Sequence, residues 1–299
     1  MTCSGTSPAA GWTTTRKGDV SVTSAAPGAP HAVSAEADSG PLTWALRQLP
    51  SRMVTLAWVE VRKLRHDRSE IYTRAIQPAL WLLIFGETFT RIHAIPTGRY
   101  PYLAYLAPGI LAQSALFIAI FYGIQIIWER DAGVLTKLMV TPTPRAALIT
   151  GKAFAAGIRS VVQAIVVVVL AAVLGVAFTA NPLRLLAAVA IVVLGSGFFS
   201  CLSMTIAGLA LQRDRLMGIG QAITMPLFFS SNALYPEALM PGWLQAISRV
   251  NPLSYQVDAL RGLLIGAPAH LLLDTGVLVA ATVAGVCSAA ALLPRLARG

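Results

Sequence analysis

Long apolar stretches separated by short charged segments dominate the chain after residue 74. Windows of about eighteen residues with almost no charge are typical of transmembrane helices. We therefore expect an all-α, polytopic integral membrane protein with a six-helix transmembrane domain over residues 74–299. Hydropathy places its spans near residues 75–89, 103–127, 153–178, 185–211, 216–233 and 271–293.

The chain before residue 74 has a different pattern. Residues 1–45 are rich in Ser, Thr, Ala, Gly and Pro and show no periodicity, which predicts a disordered tail. Residues 46–73 carry apolar side chains such as Met53, Leu56 and Val61 at helical spacing among several Arg and Lys residues. This pattern predicts an amphipathic helix that lies at the membrane interface. An ordinary cytoplasmic helix is the alternative.

A second irregular segment lies between the fifth and sixth predicted spans. Residues 236–266 are too many for a turn and too broken for a full span. Asn251–Pro252 divides them into two short amphipathic helices. We expect a re-entrant hairpin that dips into the outer leaflet, with Trp243 and Tyr255 at the interface. Two surface helices in a plain extracellular loop are the alternative.

Composition agrees with a membrane protein. The chain is 56% hydrophobic and 12% charged, whereas a soluble domain carries about 25% charged residues. The net charge of +10 could indicate a nucleic-acid partner. We exclude that partner because the bases lie in loops beside apolar spans, where anionic membrane lipids are the expected neighbours.

The positions of the bases predict the orientation of the chain. With both termini in the cytoplasm, eighteen of the 23 Lys and Arg residues lie on the inner side. The five on the outer side are Arg91, Arg99, Arg184, Arg249 and Arg261. Cytoplasmic loops carry the excess of bases in membrane proteins, so both termini and the segment 128–146 are predicted to be cytoplasmic.

Segment 128–146 is the most informative insert. It begins WERDAGVLTK, contains Gly and Pro, and is longer than a turn between two spans requires. We expect a short polar helix at the cytoplasmic face of the membrane, presented to a soluble partner. A solvated loop is the alternative.

Two stretches carry a resemblance to a known family. Residues 129–145, ERDAGVLTKLMVTPTPR, are similar to the pattern E-R-E-x-G-T-L-E-x-L-x-V-T-P-x-x-R of type-two ABC exporter permeases, and residues 228–266 resemble the outer hairpin of that family. Together with the order of the spans, the chain from about residue 50 onward resembles the daunorubicin-resistance and nodulation-export group. It departs from the pattern at Asp131, which keeps the charge of the glutamate it replaces, and at Val134, which replaces a threonine.

This resemblance implies a non-catalytic permease that pairs with a cytoplasmic ABC ATPase, usually as two permeases and two ATPases. ATP and magnesium would bind the partner, and this chain would hold no cofactor and no metal. The sequence agrees, because Gly151–Lys152 is the only Gly-Lys pair and lacks the first Gly and the final Ser or Thr of a P-loop. No catalytic motif is found.

The resemblance also implies a coupling site. The segment around 129–138 would bind a groove of the ATPase and tilt spans one, two and five about a two-fold axis, which opens a cavity between two permease copies to either side. The predicted coupling residues are Glu129, Arg130, Asp131, Gly133, Leu135, Leu138, Thr141, Pro142 and Arg145.

Polar residues inside the spans are candidates for a substrate cavity, since such groups often face a water-filled path. Hydrogen bonds between helices are the competing role. An ion pair with Arg91 would also explain Glu87, and we interpret Asp258 and Arg261 as a structural pair. The cavity candidates are Gln77, Gln113, Gln125, Gln221, Asn232 and Glu87.

The function we expect is ATP-driven export of a drug-like or amphipathic lipid substrate across the bacterial inner membrane, with multidrug efflux as the preferred interpretation. Export of a lipid, glycolipid or polysaccharide by the same architecture is the nearest alternative. Two other classes are a membrane-embedded enzyme of lipid or cell-wall metabolism and a channel or scaffold without ATP coupling. The enzyme would need carboxylates or a His base that converge at one membrane face, and the sequence shows no such group.

Overall fold

The computed structural model describes residues 68–92, 95, 97–135, 145–210 and 213–298. The predicted tail and residues 46–67 of the predicted interfacial helix lie outside these residues. Helices, turns and bends make up the described chain, with no β-strand in those ranges. The all-α expectation is thus confirmed for the part that the structure describes.

The helices account for nearly all of these residues. In chain order they are α1 (Arg68–Trp81), a π-helical turn (Leu82–Gly86), α2 (Glu87–Ile92), α3 (Tyr102–Asp131), α4 (Arg145–Val173), α5 (Pro182–Ala210), α6 (Arg213–Phe229), a 3-10 turn (Glu237–Leu239), α7 (Gly242–Val250), α8 (Pro252–Leu264) and α9 (Leu271–Arg298).

Four of these helices are long and apolar enough to cross a membrane. They are α3, α4, α5 and α9, with apolar spans at Tyr102–Asp131, Arg145–Val173, Pro182–Ala210 and Leu271–Leu296. Each has at least 26 residues and is therefore longer than the roughly 20 residues that a hydrocarbon core requires. The chain is a polytopic membrane protein on this count.

The first and fifth predicted spans are helical, but neither forms a single α-helix long enough to cross a membrane. Helix α6 has 17 residues, which at 1.5 Å per residue reach only about 25 Å of a core about 30 Å thick. The first span is divided between α1, the π-helical turn and α2. Helix α1 also passes residues 73–74 without a break, so the predicted domain boundary lies inside it.

Asparagine followed by proline starts two of the helices. The side-chain oxygen of Asn181 accepts a hydrogen bond from the backbone N–H of Leu183 (3.0 Å). The Asn251 oxygen accepts one from Leu253, also at 3.0 Å. In both cases proline fills the first helical position, where its missing N–H costs nothing. The expected break at Asn251 is therefore a helix cap as well.

Helix α3 is the most buried of the four long helices and packs mainly on α4 and α5. Glycines permit this close packing. A Cβ on Gly123 of α3 would lie 2.7 Å from the carbonyl oxygen of Ser200, and one on Gly157 of α4 would lie 2.8 Å from a methyl carbon of Val193. Both neighbours belong to α5. Helices α3, α4 and α5 thus form one tightly packed unit.

Helices α1 and α6 lie at the side of this unit. The ring of Trp81 in α1 contacts the ring of Phe228 in α6, with centroids 5.4 Å apart. Both helices expose large apolar side chains. The large apolar residues that are exposed on these two helices and on the π-helical turn are Ile76, Leu80, Leu83, Ile84, Met217, Ile219, Met225 and Phe229.

Candidate functional site

The charged end of α3 is the first part of the candidate site. Glu129, Arg130 and Asp131 continue α3 without a break. The prediction of one separate helix around residues 129–138 is therefore wrong at its start. The apolar run stops before Glu129, but charged residues are compatible with a helix, so α3 continues through them. It ends just before Gly133, whose φ of +70° only glycine adopts freely.

Glu129 has a partner within the chain. Its carboxylate forms an ion pair and a hydrogen bond with the ammonium group of Lys152 on α4. The Lys152 side chain is 14% exposed and that of Glu129 is 32% exposed, so water only partly screens the pair. The contact joins the end of α3 to the beginning of α4.

The remaining predicted coupling residues are spread around this end. The Arg130 guanidinium lies against the Asp131 carboxylate, with nitrogen–oxygen distances of 2.9 and 3.0 Å. Leu135 is fully buried, whereas Arg145 at the start of α4 is exposed. The predicted residues outside the described ranges are Leu138, Thr141 and Pro142.

Polar contacts continue between α3 and α4 deeper in the bundle. The Arg159 guanidinium carbon lies 4.7 Å from the ring centroid of Tyr122, and the Ser160 hydroxyl donates to the carbonyl oxygen of Ala115 at 3.3 Å. Arg159 is 8% exposed although it lies in an apolar span. A buried arginine inside a span is costly and is kept where partners surround it.

A cavity opens between α1, α3 and α4. Its volume is about 240 Å³, and none of its lining residues that the structure describes is charged. Gln77 and Gln163 supply amides, and Phe117 and Phe121 supply aromatic surface. Such a mixture of apolar walls and a few neutral polar groups suits an uncharged or amphipathic molecule. The other lining residues are Thr73, Pro78, Ser114 and Ile118.

Of the six predicted cavity residues, only Gln77 lines this cavity. Gln113 is buried in α3, and its amide nitrogen has no hydrogen-bond partner among the described residues. Gln125 is half-buried and Gln221 is exposed. Gln163 was not among the six, although its position inside an apolar span was the available signal.

Glu87 and Asn232 make contacts that point to structure instead. The Glu87 carboxylate lies 3.7 Å from Arg91 four residues later, which confirms the expected ion pair. Asn232 is 6% exposed, and its amide donates to the Asp258 carboxylate at 2.7 Å. Asn232 therefore belongs to the buried loop after α6 and does not line the 240 Å³ cavity.

A buried arginine organises that loop. Arg261 of α8 is 3% exposed and donates to the carbonyl oxygens of Asn232 (2.7 Å), Ala233 (3.1 Å) and Tyr105 (3.2 Å). Its guanidinium lies 3.6 Å from Asp258, which confirms the expected structural pair. Burial raises the pKa of Asp258, and the Arg261 charge opposes that shift. Each charge thus depends on the partners around it.

Within the described residues, no group of three or more His, Cys, Asp or Glu side chains is placed to hold a metal ion. The described residues thus provide a charged helix end, a cavity whose described lining residues are uncharged, and a loop after α6 that Arg261 holds in place.

The profile of the ABC-2 type transporter family matches residues 51–265, well over half of the chain. This range includes the stretch 129–145 and all but the last residue of the stretch 228–266. Members of the family are non-catalytic transmembrane subunits of ABC transporters.

Three relatives illustrate the match. The chain is 25% identical to the daunorubicin resistance ABC transporter permease protein DrrB1 of Streptomyces coeruleorubidus over 248 residues, 83% of this chain and 86% of that protein. It is 28% identical to nodulation protein J of Rhizobium leguminosarum bv. viciae, over 65% of this chain and 75% of that protein. It is 31% identical to the putative transport permease ycf38 of Cyanophora paradoxa, over 62% of this chain and 64% of that protein.

The match to the ycf38 permease thus spans slightly less than two thirds of that relative's length. The family profile covers every described helix except α9, which begins after the matched range ends. The chain belongs to the ABC-2 type transporter family.

Proposed function

We propose that this chain is the transmembrane permease of an ATP-driven exporter, and that it works as two copies with two copies of a cytoplasmic ABC ATPase. The observation that carries this proposal is the match over 83% of the chain to a relative named as a drug-resistance ABC transporter permease. ATP and magnesium would bind the ATPase. Both termini would lie in the cytoplasm of a bacterial cell, with the outer hairpin of residues 236–266 on the other side.

The coupling site in this proposal is the segment that begins at the end of α3. Gly133 redirects the chain after Asp131, and Val134 presents an exposed apolar side chain directly after the turn. A helix end followed by a glycine turn and an exposed apolar residue gives an ATPase groove both charge and apolar surface to hold. Glu129 faces Lys152, so we assign the contact with the ATPase to Arg130, Asp131 and the residues after Gly133.

The motion we propose differs from the one expected from the sequence. In the motion expected from the sequence, spans one, two and five tilt together. Helix α3 corresponds to span two and is packed closely on α4 and α5, and packed helices do not slide past one another continuously. We therefore propose that α3, α4 and α5 move as one unit, while α1 and α6 are the helices that rearrange.

The second copy is proposed to cover α1 and α6. Helix α6 is too short to cross the membrane alone. Helices α1 and α6 touch through Trp81 and Phe228 and expose apolar side chains on their outer faces. A homodimer around these helices would shield both features.

The substrate we propose is an uncharged or amphipathic organic molecule. The described lining residues of the 240 Å³ cavity beside Gln77 are all uncharged, and two relatives are named for resistance to daunorubicin and doxorubicin. A drug-like amphiphile is the first candidate and a membrane lipid is the second.

Reconstitution tests this proposal. The chain would be purified with the ATPase that co-purifies from its host membrane and placed in proteoliposomes. We expect ATP-dependent movement of daunorubicin or of a fluorescent phospholipid, with hydrolysis stimulated by the transported compound. If no drug or lipid tested changes the rate of ATP hydrolysis and none is transported, the assignment is contradicted.

A further inference from the structure

We propose that Lys152 is a positioning residue for energy coupling. Its ammonium group holds Glu129 at the end of α3, so that a force applied to segment 128–146 displaces α3 and α4 together. This inference rests on the proposed function, because it concerns how that segment passes on the motion of an ATPase. It assigns a role to a residue that lies outside the motif carrying the family resemblance.

The register of the two helices supports a shared contact line. Glu129 pairs with Lys152, and Tyr122 lies against Arg159. From the first contact to the second, each helix advances by seven residues, about two turns. Antiparallel helices whose contacts keep this spacing touch along a single line. The ion pair is thus the cytoplasmic end of an extended α3–α4 seam.

The position of the pair next to a turn gives it mechanical importance. Gly133 adopts a φ of +70°, and a side chain built there would meet no atom within 4 Å. The chain therefore turns just after Asp131, and pull on the segment beyond this turn reaches the last turn of α3. An ion pair between Glu129 and α4 lets both helices resist that pull.

Helix α5 extends the same unit. The close approaches at Gly123 and Gly157 place α3 and α4 directly on α5, and the Ser203 hydroxyl donates to the carbonyl oxygen of Ile120 at 2.8 Å. These contacts lie farther from the charged end than the ion pair does. Without Lys152, apolar packing of residues such as Ile127 and Leu135 would remain at the end of α3, but the ion pair that joins this end to α4 would be lost.

A charge-exchange experiment separates this role from direct binding of Glu129 to the ATPase. In proteoliposomes that contain the chain and its co-purified ATPase, the amount of daunorubicin or fluorescent phospholipid moved per ATP hydrolysed is measured for K152E, E129K and the double variant. We expect each single variant to lower this ratio about tenfold, the scale of a typical coupling energy. In the double variant this ratio should recover to within about threefold of that of the original chain. The K152R variant, which keeps the positive charge, should have the same ratio as the original chain.

The matched control exchanges the charges of Glu237 and Arg249. This pair is also formed across a turn, at 2.9 Å, but it is solvent-exposed and lies in the predicted outer segment. The E237R/R249E variant should leave the ratio unchanged. Where K152E does not insert, K152M removes the charge, keeps most of the aliphatic stem and is measured in its place.

The outcomes are distinct. A normal ratio in K152E or K152M overturns the role of Lys152. A double variant no better than E129K also overturns it and assigns Glu129 to the ATPase surface. Absence of nucleotide-dependent transport in the original chain, which contains the intact pair, is instead a failure of the proposed function and removes this inference with it.

Discussion

The guanidinium carbon of Arg261 lies 3.5 Å from the ring centroid of Tyr105. This stacking places a buried charge of α8 against α3, while the same guanidinium donates to backbone carbonyls of the loop after α6. Three parts of the chain that are distant in sequence thus meet at one side chain. The planar fork of arginine is suited to this role, whereas a lysine offers one compact charge.

Arg261→Ala should destabilise the protein strongly. It removes the cation beside Asp258 and the donor that three carbonyl oxygens share, and breaking a buried pair costs about 3–5 kcal/mol. Thermal unfolding in detergent measures the effect. Arg249→Ala is the control, because its ion pair with Glu237 is exposed and should contribute less than about 1 kcal/mol. Equal melting temperatures for the two variants would contradict the bracing role.

Gly109→Ala should also lower stability. A Cβ at this position would lie 2.9 Å from the carbonyl carbon of Ala233, and forcing an atom into such a site costs about 1–3 kcal/mol. Gly276→Ala in α9 would meet no atom within 4 Å and should be neutral or slightly stabilising. Melting temperatures of the two variants measure the difference. If Gly109→Ala melts no lower than Gly276→Ala, the loop after α6 does not rest on α3 as described.

The sequence predicts the helices of this protein better than the contacts between them. Hydropathy locates every long helix, and Asn251–Pro252 correctly marks the break before α8. Pattern alone places the end of α3 too early, because Glu129 to Asp131 are compatible with helix and the stop depends on the backbone of Gly133. Hydropathy also gives no sign of the π-helical turn, which lies inside the first predicted span.

Long-range partners could not be inferred in the same way. Glu129 and Lys152 are 23 residues apart, and their pairing depends on the register of two antiparallel helices, which one sequence does not fix. The acceptors of Arg261 are mostly backbone carbonyls, which every residue has. Its i,i+3 pair with Asp258 was predictable, but that pair is only one of its contacts.

Substitutions at Gly133 should form a graded series. The φ of +70° disfavours residues with a Cβ, and a left-handed conformation costs most residues roughly 1–2 kcal/mol. Because a Cβ there meets nothing within 4 Å, the effect comes from the backbone and not from a clash. We expect ATP-coupled transport to decrease from glycine through Gly133→Asn and Gly133→Ala to Gly133→Val, with membrane insertion unchanged. Full transport in Gly133→Val would show that the turn is not required.

Gln77→Ala should weaken substrate binding and leave unstimulated ATP hydrolysis unchanged. The amide lines the 240 Å³ cavity with Gln163, and loss of one neutral hydrogen bond costs about 0.5–1.5 kcal/mol, or roughly a threefold to tenfold higher half-saturating concentration. Gln125→Ala removes the same group from α3 at a position outside that lining. An unchanged concentration dependence in Gln77→Ala, or an equal change in Gln125→Ala, would exclude this cavity as a substrate site.

The proposed function depends most directly on the orientation of the chain in the membrane, which thiol labelling measures. In a background without Cys3, Cys201 and Cys287, Val134→Cys and Arg99→Cys each provide one exposed thiol, on opposite predicted sides of the membrane. A membrane-impermeant maleimide added to intact cells should label residue 99 and should reach residue 134 only after the cells are opened. Labelling of residue 134 from outside would place the charged end of α3 away from any cytoplasmic ATPase and contradict the account.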